Sequence, residues 1–260
     1  MSLYEAFTGK TQDGLKSRTP AKLDYLQSAT GLILGLFMIG HMLFVSTILI
    51  SKDAFYATAK FFEASFIFEG GNPFLVTIAV SVVFTIFIVH AALALRKFPI
   101  NYAQYNKYKI HMGLMKHSDT SMWMTQVKTG FIMFFLGSVH LYIMMTQPAT
   151  IDPNLSADRM VSDWMWPLYL VLLIAVELHG SIGLYRLAVK WGWFDGNDPR
   201  ATRAKLKKFK YALSVFMIAL GLMTLIAFMK IGFEQKENNN VGNSFKPTAQ
   251  IEILTNTKAV

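Results

Sequence analysis

The sequence has 260 residues, of which 53% are hydrophobic and only 16% charged, and it contains no cysteine. Ordinary globular chains carry about 25% charged residues, so this deficit, concentrated in long apolar runs, indicates an integral membrane protein. The lack of cysteine excludes disulfides, thiolate-held iron–sulfur clusters and covalent c-type haem, and the net charge of +9 is divided among loops beside the apolar runs, which indicates topology and not nucleic-acid binding.

Five apolar segments follow a polar stretch of 27 residues in which no removable signal peptide is predicted. Each segment reaches the roughly 20 residues that a helix needs to cross a bilayer. They cover about residues 28–51, 73–97, 123–146, 164–190 and 208–230. We therefore expect an all-α integral membrane protein, in which residues 1–232 form one five-helix domain and residues 233–260 form a polar, partly disordered tail.

The basic residues predict the orientation of these spans. Lys and Arg are concentrated between spans two and three and between spans four and five, whereas the other two loops mix acidic and basic residues. The positive-inside rule then places the N-terminus in the cytoplasm and the C-terminus outside. No extramembrane segment exceeds about 30 residues, which is too small for a flavin or nucleotide domain, so any soluble chemistry belongs to another subunit.

One histidine lies inside each of the first four spans: His41, His90, His140 and His179. Ionisable groups in lipid are costly and usually face a functional interior. Such histidines can ligate haem, bind another metal or relay protons. His111 and His117 lie in a basic cytoplasmic loop and are expected at the solvated surface.

Helical rise indicates which of the four histidines can meet. His41 and His140 lie about 13 and 17 residues from the cytoplasmic ends of their spans, and His90 and His179 about 7 and 11. At about 1.5 Å per residue, each of these pairs differs by roughly 6 Å in height, whereas His90 and His140 differ by roughly 15 Å. We therefore expect two pairs at different heights, compatible with two stacked haems. Glycines near His41, His140 and His179 would give a macrocycle clearance.

Two carboxylates and several polar residues near the span ends are further candidates. Glu177, two residues from His179, is either a protonated carboxyl bonded to a neighbouring helix or a proton carrier. Glu63, in the outer loop after span one, is either a solvated carboxylate or a base at a quinol site. Haem propionates need donors or cations near a span end. Residues of that kind, which alone are more often snorkelling or capping residues, are Gln27, Ser28, Trp123 and Lys190 on the cytoplasmic side and Arg159 on the outer side.

The motifs around the four histidines, at their observed spacing, carry a family resemblance. They are G-H-M at 40–42, V-H-A at 89–91, V-H-L at 139–141 and E-L-H-G at 177–180. With the five spans, they resemble the dihaem cytochrome b membrane subunits of epsilonproteobacterial quinol:fumarate reductases, in the succinate dehydrogenase and fumarate reductase family. The resemblance covers the chain up to about Phe233, and the final stretch is less recognisable.

This resemblance implies two b haems and a role for each candidate residue. His90 and His179 would ligate the cytoplasmic-side haem iron, and His41 and His140 the outer one. The inner propionates would contact Gln27, Ser28, Trp123 and Lys190, and the outer propionates Arg159. Glu63 would lie near the menaquinol oxidation site, and Glu177 would conduct protons in step with electrons.

The resemblance also implies the reaction and the partners. Menaquinol would be oxidised on the outer side of a bacterial inner membrane, with the C-terminus in the periplasm. Electrons would pass through both haems to an iron–sulfur subunit on the cytoplasmic side, and an FAD flavoprotein would reduce fumarate to succinate. A dimer of such heterotrimers, embedded in membrane lipid and without nucleic acid, is the assembly to consider.

Three other functions remain open from the sequence. The chain could anchor a succinate:quinone reductase that runs the reaction in the opposite direction. It could be a proton-coupled transporter in which the histidines and Glu177 form a relay, although no internal repeat of useful length is visible. It could also be an anchor without redox function.

Overall fold

The computed structural model describes residues 16–99, 101–115 and 118–248 of the chain. Within these ranges the regular secondary structure is helical and no β-strand is present. The α-helices are α1 (Thr19–Val45), α2 (Lys52–Phe62), α3 (Pro73–Leu95), α4 (Tyr102–Met115), α5 (Ser118–Thr146), α6 (Pro153–Val161), α7 (Trp166–Trp191) and α8 (Pro199–Glu237). Five of them, α1, α3, α5, α7 and α8, are long and apolar enough to cross a membrane, which confirms the predicted all-α, five-span architecture.

Short sequence signals define where several helices begin and end. The helices α3, α6 and α8 each begin with proline directly after a capping Asn72, Asp152 or Asp198, whose side chain accepts a bond from a backbone N–H of the first turn. Proline suits the first helical position because its missing N–H would have no partner there. At the other end of α7, Gly192 adopts a left-handed conformation with φ of 65°, which glycine tolerates without strain.

Four of the spanning helices form a closed ring. α1 packs on α3, α3 on α5, α5 on α7, and α7 returns to α1, so that α1 and α5 face each other across one diagonal and α3 and α7 across the other. α8 lies outside this ring and packs mainly against α7 and the short helix α6. The ring therefore has an interior that side chains from all four helices can reach.

Three of the five spanning helices are longer than the apolar segments from which they were predicted. α1 and α5 begin before residues 28 and 123, and α8 extends in both directions beyond residues 208–230. Two short helices, α2 and α6, occupy loops at one end of the bundle, which is called here the outer end because the sequence predicts that it faces outward. The helix α4 lies in a loop at the opposite end, predicted to be cytoplasmic, where His111 is exposed. His117 lies outside the described residues.

The C-terminal segment differs from the expectation of a disordered tail that begins at residue 233. α8 continues to Glu237, and the next residues fold back onto the outer helices. The backbone N–H of Gly242 donates to Asp158 at 2.7 Å, and that of Phe245 donates to Asp152 at 2.8 Å. Thr248 bonds Asp53 through both its N–H and its hydroxyl. Three carboxylates thus hold the segment up to residue 248, and residues 249–260 lie outside the described part.

The attachment of residues 242–248 to Asp53, Asp152 and Asp158 is called here the clasp. Its strength depends on pH because the Asp158 carboxyl can be protonated. Burial raises the pKa of its carboxyl, the Gly242 N–H bond lowers it, and the neighbouring Asp163 and Asp152 raise it. A carboxyl whose pKa is raised by folding favours the protonated folded state, so its contribution to stability grows as the pH falls through that pKa and is lost above it. Asp158→Asn keeps an acceptor for the Gly242 N–H and removes the charge.

We therefore expect Asp158→Asn to raise the thermal unfolding midpoint in detergent at pH 8 and to flatten its dependence on pH between 5 and 8. The exposed Asp195, replaced in the same way, is the control and should leave the profile unchanged. A lower midpoint at pH 8 for Asp158→Asn would contradict this interpretation of the clasp.

Candidate functional site

The four intramembrane histidines meet as two pairs across the diagonals of the helix ring. His41 on α1 and His140 on α5 have ring centroids 6.1 Å apart. His90 on α3 and His179 on α7 have ring centroids 6.5 Å apart. These are the two pairs that helical rise favours. They are called here the outer pair and the inner pair, respectively.

The spacing within each pair fits two imidazoles bound to one metal ion. A metal–nitrogen bond of about 2.0–2.1 Å, with about 1.1 Å from the nitrogen to the ring centre, places the two centroids about 6 Å apart. No cluster of three or more His, Cys, Asp or Glu residues suited to a metal occurs in the described ranges. Two imidazoles alone suit a metal whose remaining ligands come from a macrocycle, as in haem with two axial histidines.

Hydrogen bonds orient three of the four imidazoles. Nδ1 of His90 lies 3.1 Å from the Thr30 hydroxyl, and Nδ1 of His179 lies 2.8 Å from the backbone carbonyl of Gln126. Nδ1 of His140 lies 3.1 Å from the Tyr169 hydroxyl. With Nδ1 engaged, Nε2 is the nitrogen left for a metal, and such outer contacts fix the tautomer of a ligating histidine.

Two glycines let the inner pair approach the neighbouring helices. A Cβ atom on Gly31 would lie 2.9 Å from Cε1 of His90, and one on Gly130 would lie 3.0 Å from Cε1 of His179. The sequence associates these glycines with His41 and His140, which follow them in the same spans. The structure instead places each glycine against a histidine of the other pair, so it serves the inner site.

The polar residues predicted at the cytoplasmic end come together in part. Nζ of Lys190 lies 3.1 Å from the Ser28 hydroxyl and 3.1 Å from the carboxylate of Asp24. Oε1 of Gln27 is buried and has no hydrogen-bond partner among the described residues. A lysine ammonium, a serine hydroxyl and the NH₂ group of a glutamine amide can each donate to a charged, oxygen-rich group such as a propionate, whereas the amide oxygen can only accept.

Trp123 and Asp24 also lie at the cytoplasmic end predicted from the sequence. The Trp123 ring packs on Tyr108 of α4 at 5.0 Å between centroids, and within the described residues no hydrogen bond joins it to Lys190 or Ser28. Asp24, which the sequence did not single out, also forms ion pairs with Arg96 and Lys97. It ties α1 to the ends of α3 and α7.

On the outer side, Arg159 is buried on α6, with 6% of its surface exposed. Its guanidinium donates to the hydroxyl and the backbone carbonyl of Thr150, and it lies beside the Tyr169 hydroxyl that contacts His140. Arg159 thus reaches the outer pair through Tyr169. Sequence reasoning missed Tyr169, because one tyrosine near a span end has the composition of an ordinary interfacial anchor.

Glu63 follows α2 and lies beneath a tight turn. Its carboxylate is buried and accepts a bond from Nζ of Lys60 at 2.7 Å. Gly71 has φ of 82°, and a Cβ atom there would lie 2.7 Å from Oε2 of Glu63. The Asn72 N–H donates to the Glu63 backbone carbonyl at 2.8 Å. The turn therefore closes directly over the carboxylate, which is not the exposed loop residue that the alternative interpretation expects.

Glu177 is buried where α7 packs on α8. Its Oε1 atom has no hydrogen-bond partner within the described structure, and the Ser214 hydroxyl, which donates to Ser181 at 2.8 Å, lies beside its carboxyl. Lys210, one turn before Ser214, is also buried and places Nζ 3.4 Å from the centre of the Tyr211 ring. Sequence reasoning missed Lys210 because it follows a run of basic residues that indicates topology.

Comparisons with known proteins agree with this architecture. A family model described as the succinate dehydrogenase/fumarate reductase transmembrane subunit matches residues 102–221. The fumarate reductase cytochrome b subunit of Wolinella succinogenes is 63% identical over 238 residues, which cover 92% of this chain and 93% of that protein. The proteins of the same name from two strains of Helicobacter pylori are 54% identical over 236 residues, 91% of each chain. The chain therefore belongs to the family of fumarate reductase cytochrome b subunits.

Proposed function

We propose that this membrane subunit holds two b haems, oxidises menaquinol near the outer surface and delivers the electrons to partner subunits that reduce fumarate to succinate. The observation that carries the proposal is the presence of two histidine pairs across the diagonals of one helix ring, at spacings at which each pair could hold one metal ion through two imidazoles. Haem, when bound, supplies a one-electron redox centre at each pair. Two such centres suit the transfer of electrons from one side of a membrane to the other.

The binding residues follow from the contacts. His90 and His179 hold the inner group, and His41 and His140 hold the outer group. Lys190, Ser28 and Gln27 provide a cation, a hydroxyl and an amide for the propionates of the inner group. Trp123, near the start of α5, lies at the same end of the bundle as these three residues. Arg159 serves the outer group through its position beside Tyr169.

Glu63 acts at the outer surface as the base for quinol oxidation. Quinol loses two protons and two electrons as it becomes quinone, and a buried carboxylate can take a proton from a quinol hydroxyl. The ammonium of Lys60 and the turn at Gly71 hold that carboxylate in one orientation. The turn limits access to it, so the quinol must reach Glu63 from the side of the spanning helices or after the turn moves.

Glu177 is the proposed proton carrier on the cytoplasmic side of the outer pair. Its unpartnered oxygen, the paired hydroxyls of Ser181 and Ser214, and the ammonium of Lys210 form a polar line between α7 and α8. Polar groups inside a membrane protein are costly and mark ion or proton paths. Lys210 is nearest the basic cytoplasmic end of α8, so this line leads from Glu177 toward that end.

Glu177→Gln keeps the shape of the side chain and removes its exchangeable proton. We expect menaquinol-driven fumarate reduction to fall by about 100-fold, in the range usual for loss of one proton-transfer group, while haem content stays unchanged. Glu234→Gln, at an exposed position on α8, is the matched control. Unchanged turnover in Glu177→Gln would remove this carboxyl from the mechanism.

The partners dock on the cytoplasmic ends of the helices. We place the N-terminus in the cytoplasm and the C-terminus in the periplasm of a bacterial inner membrane, because basic residues dominate the loops that hold α4 and the start of α8. No segment between the predicted spans is large enough to form a domain that binds a flavin or an iron–sulfur cluster. An FAD flavoprotein and an iron–sulfur subunit therefore supply these two cofactors. Residues 1–232 remain the proposed membrane domain and residues 233–260 the proposed tail, whose first residues continue α8 to Glu237.

A haem assay and a turnover assay test the whole proposal. Purified complex reduced with dithionite should show b-type bands at two haems per chain, and menaquinol should drive fumarate reduction. Faster succinate oxidation than fumarate reduction with the same quinone would instead support the succinate:quinone reductase. The absence of any haem would contradict the proposal and favour the histidine relay of a transporter.

A further inference from the structure

The helices α1 and α5, which face each other across the ring, carry the same short pattern. Each contains Q-x-x-T-G followed, after nine residues, by a histidine of the outer pair. The matching positions are Gln27, Thr30, Gly31 and His41 on α1, and Gln126, Thr129, Gly130 and His140 on α5. This pattern is much shorter than the internal repeats whose absence was noted from the sequence.

On α1, residues of this pattern contact the His90 ring. Such a set of contacts around one histidine is called here its seat. The Thr30 hydroxyl donates to the backbone carbonyl of Leu26 at 2.9 Å and also approaches that of Gln27 at 3.1 Å. The same oxygen lies 3.1 Å from Nδ1 of His90, and the Gln27 carbonyl lies beside that ring. Gly31 leaves the space that Cε1 of His90 occupies.

On α5, the equivalent residues form a seat for His179. The Thr129 hydroxyl donates to the backbone carbonyl of Thr125 at 2.8 Å and approaches that of Gln126 at 3.1 Å. Nδ1 of His179 lies 2.8 Å from the Gln126 carbonyl and 3.5 Å from the Thr129 hydroxyl. Gly130 leaves the space for its Cε1 atom. The two seats therefore use the same residue types in the same order.

The bond that each threonine makes to its own helix determines what it offers the imidazole. A hydroxyl has one hydrogen, and in both seats that hydrogen points to a carbonyl of the preceding turn. The oxygen then faces Nδ1 as an acceptor, as does the glutamine carbonyl. Nδ1 must carry the hydrogen in this arrangement, and Nε2 is left with the lone pair that binds a metal.

We propose that Thr30 and Thr129 are positioning residues for the inner histidine pair. Through the repeated pattern, each of α1 and α5 both orients one histidine of the inner pair and carries one histidine of the outer pair. This inference rests on the proposed haem-binding function. The threonines hold the inner imidazoles in one tautomer and increase the electron donation of Nε2. The common spacing sets the same offset between the two ligand pairs on both sides of the ring.

The test is a redox titration of purified complex that resolves the midpoint potentials of the two haems. Thr30→Val has the shape of threonine without its acceptor. Because a weaker Nδ1 bond makes the imidazole a poorer donor and favours the ferrous state, one haem potential should rise while the other is unchanged. Thr129→Val should act on the same haem with a smaller rise, since the Thr129 contact is longer. Thr30→Ser should restore the original value.

The control is Thr85→Val on α3, where an exposed hydroxyl bonds only its own helix. Loss of one haem in Thr30→Val that Thr30→Ser regains would support the inference as well. Unchanged potentials in Thr30→Val, an equal shift of both haems, or a serine variant that behaves like valine would overturn it. Failure of the proposed function can be told apart from failure of this inference. If the proposed function were wrong, the unaltered protein itself would not contain two haems.

Discussion

Glu63→Gln is expected to lower menaquinol oxidation by at least about 100-fold, the usual scale for removal of a general base, while both haems remain bound. The carboxylate is buried, held by Lys60 and covered by the turn at Gly71. Glutamine fits the same space but cannot accept the quinol proton. Steady-state oxidation of a menaquinol analogue, with haem content measured by reduced spectra, checks the result.

The matched control for this prediction is Glu69→Gln. Glu69 belongs to the same outer loop but is exposed. Its replacement should leave quinol oxidation unchanged. If fumarate reduction driven by a soluble electron donor also falls in Glu63→Gln, the loss comes from damage to the assembly. Unchanged menaquinol oxidation in Glu63→Gln would show that the base at the quinol site is not Glu63.

Replacement of either histidine of a pair by alanine should remove one haem and leave the other. His90→Ala and His179→Ala should lose the same haem, and His41→Ala and His140→Ala the other one, because in the proposed function the two histidines that meet would share one iron. All four variants should lose menaquinol-driven fumarate reduction. Haem stoichiometry and redox titration of each purified variant identify which centre is missing.

The exposed His111 on α4, replaced by glutamine, serves as the control and should retain both haems. Double replacement is informative as well, since His90→Ala with His179→Ala should lose no more haem than either change alone. Loss of both haems in the single variants would contradict independent pairs. It would indicate instead that one site is needed for the other to form.

The spanning helices were predictable because their signal is averaged over about 20 residues, so single polar residues do not hide it. The ends were less predictable, since α1 and α8 extend into polar sequence where Pro199 and its neighbours favour a helix without raising hydropathy. The clasp that Asp152 and Asp158 form with the tail joins residues more than 80 positions apart. Such contacts depend on tertiary structure and have no local pattern.

The sequence allowed the heights of the site residues along their helices to be predicted, but not the directions in which their side chains point. Rise per residue indicates which histidines share a level, and the structure brings those together. It does not indicate which side chain faces which neighbour, so Tyr169, Lys210 and Gly31 had ordinary alternative explanations. The repeat that contains Thr30 was present in the sequence. Its meaning depends on helix packing, because each repeat serves a histidine on another helix.

Diagonal pairing has a consequence for how the protein is made. The outer pair uses the first and third spanning helices, whereas the inner pair uses the second and fourth. In chain order, His41 and His140 both lie on spans that precede α7, the helix that carries His179. If the spans enter the bilayer in order, the proposed outer haem would have both of its ligands in place before the inner one, whose second ligand arrives only with α7. Insertion would therefore allow haem to be delivered to the outer pair first.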